Sequence, residues 1–468
     1  MLSTGQKMSR ENRHRLALFF LATLVWFAPI HLDRMEFGQL GLGRCVFGQW
    51  TEFRGGRLQG VADSQGVADS QDLPLNWSES ENVLWSVPLI GRGNSSPIVT
   101  DHDVFVTTQD ENRDLWVCDV SVRSGKFVWR KKVGQGSISA TGPARLYAHR
   151  HNAATPTPVT DGENVFAFFG NGEFVCLDYR GEIVWQRNLV TDYGPFDLAF
   201  GMASSPCWFA GNLTLPCINK RSSYIIHLSP RTGKTQLKID RDFYAKADGR
   251  DAYSTPVVAE ASSEILIVAG ADTINSYQYF ARDRFRELGK YSNLGIDSDH
   301  GRIIASPTIY ENKVIATTAN PLGGVGKVVA YTISYSGNFT LEWEYKKYTP
   351  DSSTPVCYKD RVYMVRDDGI ATCLKLTTGE LMWRKRLGKG PFHSSPVVSD
   401  DRVYFLSRDG TCYIVAANDK GDVLSENQLP GDFYATPAIS NGVIYFRSDS
   451  HLYAVGQRSK SDGQTPSR

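Results

Sequence analysis

Paired cysteines, a surplus of either charge and long apolar runs are all missing from most of this chain, and each absence removes a class of function. The eight cysteines form no Cys-x-x-Cys or Cys-x-x-Cys-His motif, which excludes a zinc ribbon and a c-type haem site. Lys and Arg number 51 against 50 Asp and Glu, and beyond residue 48 the balance is 45 basic to 47 acidic. A nucleic-acid partner normally leaves a basic footprint, so none is expected. No Gly-rich dinucleotide fingerprint, phosphate-cradling loop or Ser nucleophile motif occurs. One stretch alone, from Leu16 to about Ile30, is apolar enough to enter a bilayer. Lys7, Arg10, Arg13 and Arg15 precede it, as in an export signal, and Val46-Phe47-Gly48 offers a cleavage site before Gln49. The alternative is an uncleaved N-terminal anchor, slightly short for a spanning helix, which would associate the protein with a membrane. Arg44 directly before Cys45 departs from a lipobox and argues against lipidation.

What the chain does contain is a repeat. A Ser or Thr followed by Pro and at least one apolar residue in the next two recurs at Pro97, Pro158, Pro206, Pro256, Pro307, Pro355, Pro396 and Pro437, with spacings of 61, 48, 50, 51, 48, 41 and 41. A period of about 40 to 50 residues holding several short strands is the signature of a β-propeller. The unit beginning at Thr354-Pro355 is the clearest. It holds four runs of β-branched and aromatic residues, separated by Asp360, by Asp367-Asp368-Gly369 and by Thr378-Gly379. Proline opens the first run, where a missing N–H harms a ladder least.

The last turn of the unit recurs with a glycine at 125, 181, 233, 337, 379 and 421. Trp129, Trp185 and Trp383 stand four residues after such a glycine, and Trp343 six after Gly337; Leu237 and Ser425 take the place in degenerate units. An aromatic at one place per repeat is read as a wedge between neighbouring blades, in preference to a ring of cofactor-stacking indoles. The final unit stops without such a strand, whereas residues 83–89, with Trp85, form one that has no blade before it. These residues are therefore expected to complete the eighth blade by pairing with residues 451–455.

The Ser-Ser-Pro strand, the Thr-Gly-Lys or Thr-Gly-Glu turn and the following Trp resemble the PQQ-like propeller repeat of bacterial quinoprotein dehydrogenases and of the outer-membrane barrel-assembly lipoprotein. Trp50-Thr51-Glu52-Phe53-Arg54-Gly55, Leu73-Pro74-Leu75-Asn76-Trp77 and Gly91-Arg92-Gly93 resemble the opening motifs of one exported branch of that superfamily. The similarity covers about residues 50 to 456. It implies the fold and says little about activity, because one fold hosts many functions. The dehydrogenases carry a vicinal Cys-Cys pair and a set of Ca²⁺ ligands near the quinone; this chain has no Cys-Cys pair and lacks the usual insertions.

The loops leading into the innermost strands should gather on one face around the channel. They carry Arg145, Tyr147, His149 and His151, then Tyr193, then Asp251, then Asp299, His300 and Arg302, and later His393. These residues are the candidate ligand-binding face. His149 and His151 with Asp299 and His300 invite a metal reading, but their spacing matches no ligand motif and a hydrogen-bonding loop accounts for them. Cys207 and Cys217 flank a turn at Gly211-Asn212 and are candidates for a disulfide in an oxidising compartment. Cys118, Cys176, Cys373 and Cys412 read as buried thiols.

The expectation is an all-β, eight-bladed propeller over 83–456, with a signal peptide or anchor at 1–48, an extended segment at 49–82 and a disordered tail at 457–468. An identical hexapeptide repeated at 59–64 and 65–70 reads as a lengthened loop. The function expected is non-catalytic binding or scaffolding in the periplasm or cell envelope, with a protein, peptide or glycan as partner. No catalytic residues, metal or cofactor are expected. A quinone (PQQ)-dependent, Ca²⁺-containing dehydrogenase is the alternative.

Overall fold

The computed structural model describes residues 49–56, 59–62, 73–138, 150–260, 263–280, 284–292, 294, 299, 301–318 and 326–457. The N-terminal signal or anchor, most of the hexapeptide repeat and nearly all of the polar tail lie outside the described residues. Eight antiparallel sheets follow one another around a ring. Blade 1 consists of Ile98–Val99, Asp103–Gln109, Asp114–Ser121 and Phe127–Gln135, ordered from the inside outwards. Blades 2 to 7 repeat the pattern over 159–188, 207–240, 257–292, 308–345, 356–386 and 397–428. Within each blade the middle strands are almost wholly buried, as Val165 to Phe168 in blade 2 illustrate. The outermost strands are more exposed, and Val128 faces solvent between the half-buried Phe127 and Trp129.

The eighth blade closes the ring as the repeat count predicts. Ala438–Ser440, Val443–Arg447 and His451–Gly456 are joined by Val83–Pro88. That strand runs antiparallel to the last one, with Val83 opposite Val455 and Pro88 opposite His451. Both chain ends of the propeller therefore lie in one sheet, and no unpaired strand is left at the joint.

The repeat tryptophans link each blade to the next. The indole N–H of Trp85 donates to Val122 O at 2.7 Å, Trp129 to Tyr179 O at 3.0 Å and Trp185 to Pro230 O at 2.6 Å. Trp343 reaches Leu376 O at 2.9 Å and Trp383 reaches Asn418 O at 3.1 Å. Each ring lies flat on the turn glycine of the following blade. A Cβ on Gly181 would fall 2.8 Å from the Trp129 ring, and one on Gly421 2.4 Å from the Trp383 ring. Both glycines also have φ in the left-handed region, 81° and 59°, where a side chain is strained. Leu288 takes the tryptophan's place against Gly337.

Between blades 7 and 8, where Ser425 stands in the repeat, the N-terminal segment supplies the missing indole. Ser425 Oγ donates to Asn76 Oδ1 at 2.7 Å, Asn427 Oδ1 accepts from the backbone N–H of Trp77 at 2.8 Å, and the Trp77 ring packs 5.6 Å from that of Phe446.

Residues 50–56 and 59–62 cross the channel at the end where strands one and two of each blade turn. Trp50 bridges Val99 of blade 1, Thr51 O accepts from the Thr160 N–H of blade 2, and Arg54 Nη2 donates to Pro355 O at the start of blade 6. Val61–Ala62 then lies inside blade 7, parallel to Val397–Ser399. The Phe53 ring packs against the core of blades 3 to 5. This strap closes one mouth of the channel.

Candidate functional site

The Ser or Thr before each proline has a role that a single repeat does not reveal. The Ser96 N–H donates to Thr157 Oγ1 at 2.9 Å, that of Thr157 to Ser205 Oγ at 3.0 Å, Ser205 to Thr255 Oγ1 at 3.1 Å and Thr255 to Ser306 Oγ at 2.9 Å. The Ser306 N–H continues to Thr354 Oγ1 at 3.0 Å, Thr354 to Ser395 Oγ at 3.0 Å, Ser395 to Thr436 Oγ1 at 3.2 Å, and Thr436 back to Ser96 Oγ at 3.1 Å. Eight bonds form a closed circle, one per blade. Every oxygen in it faces an axial cavity of about 280 Å³, with Phe53 of the strap among its lining residues. The cavity is blind, and it opens on the loop face.

The extended segment that leads into each inner strand builds a second tier. Successive side chains point to opposite sides, so the residue three before each proline looks into the same cavity as the hydroxyl. These positions hold Asn94, Thr155, Ala203, Tyr253, Ile304, Ser352, His393 and Tyr434, all of which line it. The lower tier is uniform and the upper one differs from blade to blade. Arg150, His151, Phe200, Arg302 and Asp351 complete the mouth.

The charged groups at the mouth compensate one another. Arg302 is buried; its Nη1 lies 3.3 Å from Asp248 Oδ2, and its guanidinium sits 4.6 Å from the Phe200 ring centre. Among the described residues its Nε has no partner, nor has the buried Oδ1 of Asp351. Burial raises the Asp351 carboxyl against the pull of Arg302 and Arg150. Burial and the neighbouring Asp351 push Asp367 up to about 7. Desolvation lowers both His151 and His393 to about 4, so both are neutral at pH 7. The His393 ring stacks on Tyr434, centroids 5.4 Å apart and planes 3° apart.

Of the residues proposed from sequence, His151, Arg302 and His393 come together in this cavity. Arg145, Tyr147, His149 and His300 lie outside the described residues. Tyr193 is directed away, towards the outer strand of blade 3, where its hydroxyl meets Thr235 Oγ1 at 2.5 Å and its ring packs on Tyr224. Asp251 is buried behind the wall, accepting from the Ala199 N–H at 2.9 Å and pairing with Lys220 at 3.4 Å. Asp299 is exposed and pairs with Lys246 at 3.2 Å.

Cys207 and Cys217 do not form a disulfide. The hairpin turns at 210–211, so Cys207 lies opposite Thr214, while Cys217 lies opposite Tyr224 on the next strand; both thiols are free and buried. Cys118, Cys176, Cys373 and Cys412 are free and buried as well. Sequence reasoning passed over Asp351, Arg150 and the hydroxyl circle, although the slot three before each proline was a usable signal. Among the described residues no three His, Cys, Asp or Glu side chains gather as a metal site.

The fold and the cavity define an eight-bladed propeller of the quinoprotein type, with a channel closed at one end. The family described as outer membrane protein assembly factor BamB matches residues 49–194 and 326–424, just over half of the chain, and the chain belongs to that family. Among solved structures it is similar to BamB from Moraxella catarrhalis, at 14% identity and TM-score 0.58, covering 80% of this chain and 99% of that one. It is also similar to the quinohemoprotein alcohol dehydrogenase of Comamonas testosteroni, at 11% identity and TM-score 0.60, covering 90% of this chain and 82% of that one. A europium-containing methanol dehydrogenase aligns at 10% identity and TM-score 0.59, covering 87% and 89%. At these identities the likeness concerns the fold. No curated protein matches the chain.

Proposed function

We propose that this protein is an exported, non-catalytic binding module of the bacterial cell envelope, which holds its partner on the loop face over the blind axial cavity. The observation that carries this reading is the two-tiered cavity, with a uniform floor of hydroxyls beneath a rim of differing side chains. A repeated floor beneath a varied rim is the arrangement of a selective binding site on a rigid frame. Membership of the BamB family supports an envelope location. A quinone with Ca²⁺ does not fit the donor set: no two cysteines adjoin, and among the described residues no three His, Cys, Asp or Glu side chains gather to hold a cation.

The test uses the full chain carrying a photo-crosslinking residue at Tyr434 on the loop face, or at the exposed Asp161 on the opposite face. The expected result is an envelope adduct from position 434 alone. Equal adducts from both positions would overturn the reading. So would saturable, alcohol-dependent dye reduction on adding pyrroloquinoline quinone and Ca²⁺.

A further inference from the structure

We infer that the axial cavity takes a neutral saccharide, about one or two sugar residues in size, free or at the end of a glycan. This rests on the binding reading above and gives its ligand a chemistry. Each hydroxyl of the floor commits one lone pair to the N–H of the neighbouring blade. No acceptor for any of the eight hydroxyl protons is found among the described residues. Each hydroxyl therefore offers the cavity both a donor and an acceptor. A ligand that only accepts, such as an oxyanion, would leave the second lone pairs unmatched. An ammonium would leave the protons unmatched. Sugar hydroxyls do both.

The rim gives the same answer. Asp351 Oδ1 is buried without a partner among the described residues and needs a donated hydrogen, whereas Arg302 Nε needs an acceptor. A carboxylate or phosphate could serve the second group but would repel the first. One sugar hydroxyl can meet either need. Charge does not select an anion, because Arg302 is already paired with Asp248 and Arg150 acts on Asp351 and Asp367. His393, Tyr434 and Phe200 line the cavity and give it an apolar part of the wall, against which the C–H groups of a pyranose can pack. The volume, about 280 Å³, lies near the lower end of small-ligand pockets, roughly 300 Å³.

The test titrates the full chain with glucose, N-acetylglucosamine, cellobiose, chitobiose and maltose, and in parallel with inorganic phosphate and acetate. Calorimetry and saturation-transfer NMR are the readouts. Saturable binding of at least one sugar is expected, weakened roughly tenfold by Asp351→Asn, since losing a hydrogen bond to a charged group costs that order of affinity. Melting curves establish that the variant is folded. Lys131→Ala, on the outermost strand of blade 1 and remote from the cavity, should leave binding unchanged. A disaccharide that binds more tightly than its monosaccharide points to a chain end; equal affinity points to a free sugar. Binding of phosphate or acetate in place of sugars overturns the inference, as does sugar binding that ignores Asp351→Asn. If no sugar binds while position 434 still captures an envelope component, the saccharide inference fails and the binding face stands.

Discussion

A hydroxyl before each proline fixes the inner ring because proline lacks the N–H that would otherwise hold the start of the strand. The residue before it is held instead through its own N–H, which donates to the next blade's hydroxyl. Thr354 shows what this contributes. It is buried, and its Oγ1 accepts from the Ser306 N–H. Thr354→Val keeps the shape and leaves that N–H without a partner, so a loss of about 1–3 kcal/mol is expected. Thr354→Ser should recover most of it. Denaturant midpoints of the two variants measure the difference, and equal midpoints would remove the circle's energetic role.

At this scale the sequence was legible where the repeat locks a residue to its slot and misleading where a loop does not. His393 stands three before its proline and lines the cavity. Tyr193, Asp251 and Asp299 sit in irregular loops, where no period says which way a side chain points. Two of them pair with lysines and the third with an outer-strand hydroxyl.

Between elements, the recurring tryptophan and the recurring turn glycine were both visible in the sequence, but as separate features. They are the two halves of one contact, and each half belongs to a different repeat, so no single unit shows them together. The same holds for Gly91-Arg92-Gly93: a Cβ on Gly93 would fall 2.5 Å from Arg447 Nη2, and that buried guanidinium donates to Ser95 O and Thr107 O at 2.8 and 2.7 Å across the ring joint. The Trp–Gly contact makes a prediction about coupling. Trp383→Ala alone should cost about 3–5 kcal/mol, as other buried aromatics do. Gly421→Ala is destabilising in the native background through both its φ of 59° and its collision with the indole. In the Trp383→Ala background only the φ strain remains. A double-mutant cycle should therefore show roughly 0.5–3 kcal/mol of coupling; additive losses would mean that the ring and the turn do not bear on each other.

The whole ring depends on its N-terminal segment in two separable ways. Residues 83–88 are part of a sheet: their ladder to the last strand, the Leu89 N–H bond to Ser450 O and the Trp85 contact with blade 1 all lie at the one joint where the chain is not continuous. The described residues of 50–62 and 73–77 instead fill and seal. Trp50, Leu73 and Trp77 are buried, Phe53 lines the cavity, and Arg54 donates to Pro355 O at 2.8 Å. The closure was legible because a missing strand at one end matched a surplus strand at the other. The seal was not, because Trp50 to Gly55 occurs once and has no period to read. Two deletions tell these roles apart. Removing 49–82 should leave a closed, monomeric ring that unfolds in one transition at lower denaturant, with its far mouth open. Removing 49–90 also strips the eighth blade of its outer strand and exposes the edge at His451–Gly456, and an unpaired edge recruits other chains. That protein should aggregate or lose its cooperative transition. Size-exclusion chromatography and denaturant unfolding measure both outcomes. If the longer deletion is as soluble and cooperative as the shorter one, the strand at 83–88 does not hold the ring together, and closure must rest on the inner hydroxyl circle and Arg447.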